Sequence, residues 1–187
     1  PAPTGEAAVL RMRDIGFDAP RALLAGYGRA LADNGNFQQA FDVLGRAHTP
    51  EDPDWRIRAA QGAVLDQLER HDEARQYYAS ALKVVPEDAS VLSNLGLSYM
   101  LTKELPKAEE TLRQAYASAR ADTRIRQNLA LVVGLQGRFQ EAEQIASADL
   151  SPAEAQANVA YLRQMLAEQQ QWKKDRRGSP LTPSTGS

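Results

Sequence analysis

The chain has 187 residues, 43% apolar and 25% charged, with a formal charge of -2. That balance argues against global disorder and against nucleic acid as the main partner, since phosphate binding normally shows as a basic surplus. No run approaches the roughly 18–20 apolar residues of a membrane-spanning helix, and the absence of cysteine excludes disulfides, thiolate metal sites and a cysteine nucleophile. Alanine, leucine, glutamine, arginine and glutamate dominate while aromatics make up 6%. These are strong helix formers, so an all-α fold is expected.

In chain order, residues 1–20 are expected to form an N-terminal helix or cap, with the helix over Gly5–Arg13 ahead of Asp18-Ala19-Pro20. From Arg21 a 34-residue period begins, with no insertion, through windows 21–54, 55–88, 89–122 and 123–156. The eighth position of the windows reads Gly28, Gly62, Gly96, Ala130, and the twentieth Ala40, Ala74, Ala108, Ala142. The twenty-fourth reads Leu44, Tyr78, Leu112, Ala146, and the twenty-seventh Ala47, Ala81, Ala115, Asp149.

Within each window apolar residues fall at helical intervals, as in Leu24, Tyr27, Gly28 and Leu31 or Leu92, Leu95, Gly96 and Tyr99. Breaks at Asp33–Asn36, Arg70–Asp72, Lys103–Pro106 and Gln136–Arg138 divide each window into two helices. Small residues inside a helix suit a close crossing, so the eighth and twentieth positions mark where the two helices of a hairpin touch. A C-terminal capping helix over 151–173 follows, with Ser151 as N-cap, Pro152 at N1 and Glu154 at N3. Residues 174–187 are rich in Pro, Ser, Thr and Gly toward the end and are expected to be disordered.

Catalysis needs a nucleophile, a base and a group that orients it. His48 and His71 have no carboxylate–His–hydroxyl spacing and read as surface histidines at helix ends. Glu109-Glu110 and Glu141 with Glu143 are paired carboxylates, but successive helix positions do not face one another. Gly26-Tyr27-Gly28 has neither a third glycine nor a preceding strand, as a nucleotide loop requires. The sequence therefore reads as non-enzymatic, with no cofactor and no metal.

The period and its residues resemble the tetratricopeptide repeat (TPR) family. The matches are Gly62 with Leu65, Ala74, Tyr78, Ala81 and Pro86 in the second unit, and Leu95-Gly96 with Tyr99, Ala108, Leu112 and Ala115 in the third. The resemblance implies a right-handed TPR superhelix, an α-solenoid of about four helix-turn-helix repeats over residues 21–156. It also implies a concave groove formed by the first helix of every unit. Carried over position by position, that groove offers Ala22, Ala25, Gly26, Arg29 and Ala32, then Arg56, Ala59, Ala60, Ala63 and Asp66. The third unit adds Ser90, Ser93, Asn94, Leu97, Met100 and Leu101, the fourth Arg124, Gln127, Asn128, Leu131, Gly134 and Leu135, and the cap Tyr161 and Met165. The first half is lined by small residues and the second is apolar. The leucines and methionine of the second half are either the wall of a hydrophobic groove for a partner's helix or extended peptide, or plain core. Asn94, Arg124 and Asn128 are similar to part of a clamp for a peptide's terminal carboxylate, but Ala59 and Ala63 stand where the clamp needs Lys and Asn.

Three segments resemble, more narrowly, the TadD family of TPR lipoproteins of tight-adherence (Flp) pilus assembly. They are Ser93–Tyr99, Arg126–Phe139 and Ala157–Leu162. This resemblance implies a periplasmic, outer-membrane-associated protein that helps a pilus secretin assemble, tethered through a lipid anchor upstream of Pro1. The alternative is a cytoplasmic TPR adaptor or regulator with no connection to pili.

Overall fold

A small set of backbone devices, repeated every 34 residues, builds the fold. The computed structural model describes residues 21–48, 53–118 and 122–178, with side chains through Trp172. Among these residues there are nine helices and no strand. They are α1 (Arg21–Asp33), α2 (Phe37–Ala47), α3 (Trp55–Gln67), α4 (His71–Leu82), α5 (Ala89–Leu101), α6 (Leu105–Ala117), α7 (Thr123–Leu135), α8 (Phe139–Ala146) and α9 (Pro152–Gly178). The all-α helix-turn-helix architecture expected from composition and period is the one that forms.

The helix expected within 1–20 lies outside the described residues, as does the tail from 179 onward. One boundary differs. α9 runs past residue 173 to Gly178, into the segment expected to be disordered. No proline interrupts Lys173–Arg177, and lysine and arginine both favour helix and suit its C-terminal end.

Each first helix after α1 starts on an aspartate. Asp54 accepts the Arg56 N–H at 2.8 Å, Asp88 accepts Ser90 and Val91 N–H at 3.1 Å each, and Asp122 accepts Ile125 N–H at 3.1 Å. These carboxylates, 34 residues apart, satisfy donors that a helix start leaves unpaired. The Ile125 N–H, helped by Arg124, holds Asp122 below the usual carboxylate range.

Each hairpin turn uses a left-handed residue at one repeat position. These are Gly35 (φ 78°), Glu69 (φ 60°), Lys103 (φ 64°) and Gly137 (φ 82°). The next N–H then reaches back five residues: Asn36 to Leu31, Arg70 to Leu65 and Glu104 to Tyr99 at 2.9 Å, and Arg138 to Val133 at 3.3 Å. This Schellman-type bond closes the first helix and aims the chain into the second.

Contacts divide the chain into two compact units between Ile125 and Arg126, inside α7. The first holds the hairpins α1–α2, α3–α4 and α5–α6, with α2 packed on α3 and α4 on α5. A Cβ placed on Gly28, Gly62 or Gly96 would lie 2.7 Å from Leu44 Cγ, Tyr78 Cε1 or Leu112 Cγ respectively. The close approach expected of the eighth position is therefore present, and the side chain that fills it is the twenty-fourth. The twentieth-position alanines Ala40, Ala74 and Ala108 are fully buried beside it.

Successive hairpins are tied by half-buried contacts whose chemistry changes while their positions do not. The Arg70 guanidinium lies 5.6 Å over the Phe41 ring, and one period later Arg75 pairs with Glu104 at 3.5 Å.

Between the second and third hairpins a polar cluster is buried. Asp66 accepts His71 Nδ1–H at 2.8 Å, Tyr78 OH at 2.9 Å and Ser98 Oγ–H at 2.8 Å. Burial, together with the Asp66 charge, pushes the Tyr78 phenol well up. One repeat earlier the same positions hold Ala32, Phe37, Leu44 and Val64, all in one apolar cluster. Two expectations are corrected here. His71 does open α4, but it is half-buried and bonded rather than a free surface residue, and Asp66 is held by three donors rather than open to a groove. His48 is likewise half-buried, with Arg58 donating to its Nε2 at 2.8 Å.

The second unit comprises the remainder of α7 with α8 and α9. Leu129, Val132 and Val133 are buried, and α9 packs down through Ala155, Val159 and Leu162. Gln164 stands 34 residues after Ala130 and is exposed. A polar residue thus occupies the position that carries the hairpin contact elsewhere, which suits a helix that ends an array.

α9 begins with a capping box. The Ser151 N–H and hydroxyl donate to Glu154 at 2.9 and 2.6 Å, and the Glu154 N–H donates to Ser151 Oγ at 3.3 Å. The Ser151 bonds hold the Glu154 carboxyl below its ordinary value. A depressed carboxylate stabilises fully above its unfolded pKa, about 4.3, and this stabilisation is lost as pH falls through the lower folded value. Protection against hydrogen exchange at the start of α9, relative to the intrinsic rate at each pH, should therefore fall as pH drops below about 4. Glu154→Gln, which keeps an acceptor without the charge, should lack the step; an identical step in that variant would assign it to another carboxylate.

Candidate partner-binding site

The second unit contains a cavity of about 310 Å³ built from three helices. α7 contributes Gln127, Ala130 and Leu131, and α9 contributes Asn158, Tyr161 and Met165 above Val159 and Leu162. These residues recur at helical spacing, which brings each set to one side of its helix. Ala142 and Ala146 of α8, with Leu150 after it, complete the lining. Buried Ala130, Ala142 and Ala146 keep the floor low, while Leu131, Met165 and Tyr161 are 38%, 42% and 71% exposed. No charged side chain lines the cavity; Gln127 and Asn158 are its amide-bearing members. Such a surface takes mainly apolar groups. Among the described residues no group of three or more His, Asp or Glu side chains could hold a metal ion.

Of the residues expected to line a groove, Gln127, Leu131, Tyr161 and Met165 come together here. Asn128 and Leu135 are half-buried on α7 and are not among the residues lining the cavity. In the first unit, Asn94, Leu97 and Met100 of α5 are half-buried and Leu101 is 52% exposed. Arg56 is exposed with its guanidinium 4.5 Å over the Trp55 ring, and Arg124 is exposed and paired with Asp122 at 3.2 Å. Ala25, Ser93 and Gly134, also carried over as groove positions, are buried, so packing takes them out of any wall.

The small residues expected in the first half do leave space. Arg29, Ala32, Ala60 and Ala63, with Phe37, Leu44 and Val64, line a cavity of about 480 Å³.

Sequence reasoning missed Ala142, Ala146 and Leu150 because it took no groove residue from a second helix or the loop after it, and from α9 it took Tyr161 and Met165 but not Asn158. A signal was present: Ala146 stands in the twenty-fourth position, where the other units carry Leu44, Tyr78 and Leu112.

Compared with known proteins, residues 59–123 match the family described as tetratricopeptide repeat. Comparison with curated protein sequences gives no match. Among solved structures, a tetratricopeptide repeat protein from Parabacteroides merdae is 20% identical, with a TM-score of 0.69 over 95% of this chain and 73% of that one. A crystal structure of MamA is 18% identical, with a TM-score of 0.66 over 82% of this chain and 89% of that one. MamA from residue 41 to its end, from Desulfovibrio magneticus RS-1, is 22% identical, with a TM-score of 0.58 over 78% and 76%. The fold is that of tetratricopeptide-repeat proteins. Among the described residues no helix is long and apolar enough to cross a membrane.

Proposed function

We propose that this chain is a non-catalytic scaffold that holds a segment of another protein, and that its setting is tight-adherence pilus assembly at the bacterial outer membrane. The observation that carries the binding reading is the apolar cavity of the second unit, rimmed by exposed Leu131, Tyr161 and Met165. α9 also exposes polar Arg163, Gln164 and Glu168 near the cavity. Exposed apolar side chains concentrated beside a concave apolar site mark an interaction surface. The pilus setting rests on the resemblance carried by Ser93–Tyr99, Arg126–Phe139 and Ala157–Leu162, two of which contribute residues to this cavity.

The test is expression from the complete natural reading frame, followed by fractionation and affinity capture. Fractionation with the outer membrane and capture of a secretin or another pilus-assembly component is expected. Recovery in the cytoplasm, with no pilus component captured, would overturn the pilus setting and favour an adaptor role.

A further inference from the structure

We infer that α9 is a self-association helix: two copies of this chain pair antiparallel along the face that carries Asn158, Tyr161, Met165, Glu168 and Trp172. This pairing goes beyond the scaffold reading, and it seats on two residues, Tyr161 and Met165, that the scaffold reading gives to a partner.

The shape of α9 comes first. Its inward face is short, with Ala155, Val159 and Leu162 buried and Leu166 half-buried. From 167 to 172 every residue is exposed, yet the helix continues to Gly178. A helical end that leaves the core is marginal in water by itself. On the outward side Tyr161, Met165 and Trp172 are 71%, 42% and 58% exposed. With Asn158 and Glu168 they recur at alternate spacings of three and four residues, the rhythm of a helix that lies along another helix. Glu168 and Trp172 are not among the residues lining the cavity. Filling the cavity therefore leaves Trp172 in water, whereas a second helix laid along α9 covers the whole stripe.

Charge decides the occupant and its direction. Residues 152–162 carry one charged side chain, Glu154, whereas Lys173, Lys174, Arg176 and Arg177, with Asp175, crowd the other end. Two copies laid parallel would set the basic ends together and repel. Laid antiparallel, each basic end meets Glu154 of the other copy, and the opposed helix dipoles add to the attraction. The face is thus complementary to itself, and such a contact closes at two chains. In the register that sets Tyr161 against Trp172 of the second copy, Met165 falls opposite Glu168 and Asn158 opposite Asp175. Glu154 then lies within one turn of the positions of Arg176 and Arg177. The aromatic pair forms twice across the axis, and the polar Asn158 in the seam favours a single register. Two helices about 10 Å wide, in contact over most of the 27 residues of α9, bury on the order of 1,000 Å². That is the size of a weak, reversible interface.

The test is sedimentation equilibrium of the whole chain over a concentration series, which is expected to show monomer and dimer. Trp172→Glu is expected to weaken the dimer at least tenfold and to melt as the wild type does, since the side chain lies outside the core. Arg176→Glu with Arg177→Glu should weaken it too, and added salt should weaken the wild-type dimer. The chain has no cysteine, so Gln164→Cys and Gln171→Cys report the direction. Under mild oxidation the Gln171→Cys chain is expected to cross-link to the Gln164→Cys chain and not to itself. The inference is overturned by a wild type that stays monomeric at every concentration, or by a folded Trp172→Glu variant that dimerises undiminished. Cross-linking of Gln171→Cys to itself as readily would overturn it as well. So would a monomeric wild type whose capture of another protein is lost in Trp172→Glu, which would assign the stripe to that protein. Should Trp172→Glu not fold, the charge-reversed pair takes its place. A dimer that Trp172→Glu abolishes, in a chain that captures no other protein, upholds the pairing and sinks the scaffold reading. A wild type that captures a partner but never dimerises does the opposite.

Discussion

Gly96→Leu is expected to destabilise the first unit strongly. Any Cβ at this position would meet Leu112 Cγ at 2.7 Å, closer than real Cβ atoms approach, and the Ala108 carbonyl oxygen at a tight 3.3 Å. Leu112 and Ala108 are both fully buried and cannot swing out to solvent, so α5 and α6 must separate. Overpacking of this kind costs about 1–3 kcal/mol. For a chain of this size each kcal/mol lowers the melting temperature by roughly 2–4 °C. The same change at exposed Gln114 of α6 should be nearly silent. Equal melting of Gly96→Leu and wild type would show that the two helices do not cross there.

Leu131→Asp combined with Tyr161→Asp should abolish partner capture while leaving the fold intact. Both side chains are substantially exposed, so the substitutions take little from the core. Burial of each against a ligand contributes on the order of 1.5–3 kcal/mol, so losing both corresponds to roughly a hundredfold or more in affinity. Arg124→Ala should weaken capture far less, and only at low salt, because its exposed charge is screened. If the double variant unfolds, these side chains belong to the core; if it folds and binds as before, the partner sits elsewhere.

The extent to which this protein could be read from its chain follows from the kind of information that repeats. Small residues at the eighth and twentieth positions recur because each must admit a crossing helix, and that constraint is local to one hairpin. The N-capping aspartates Asp54, Asp88 and Asp122 are just as periodic, and a comparison of the last position of each window would have found them. The left-handed turn position is half hidden, because Glu69 and Lys103 hold the conformation that Gly35 and Gly137 adopt without strain.

What the chain alone could not show is where periodic positions depart from one another in space. Asp66 looked like a groove residue by position, yet His71, Tyr78 and Ser98 converge on it only once α3, α4 and α5 are packed. Among the expected groove residues, Gln127, Leu131, Tyr161 and Met165 meet at one cavity and Arg29, Ala32, Ala60 and Ala63 at another, a division that a list of first-helix positions cannot make. The cavity itself depends on Ala146, a residue of a second helix, and on the height of α9 above it. Composition and period thus determined the all-helical hairpin repeat, because helix propensity and close crossing act within neighbouring residues. The site was decided by tertiary packing, because a missing side chain opens a cavity only where no other helix moves in to fill it.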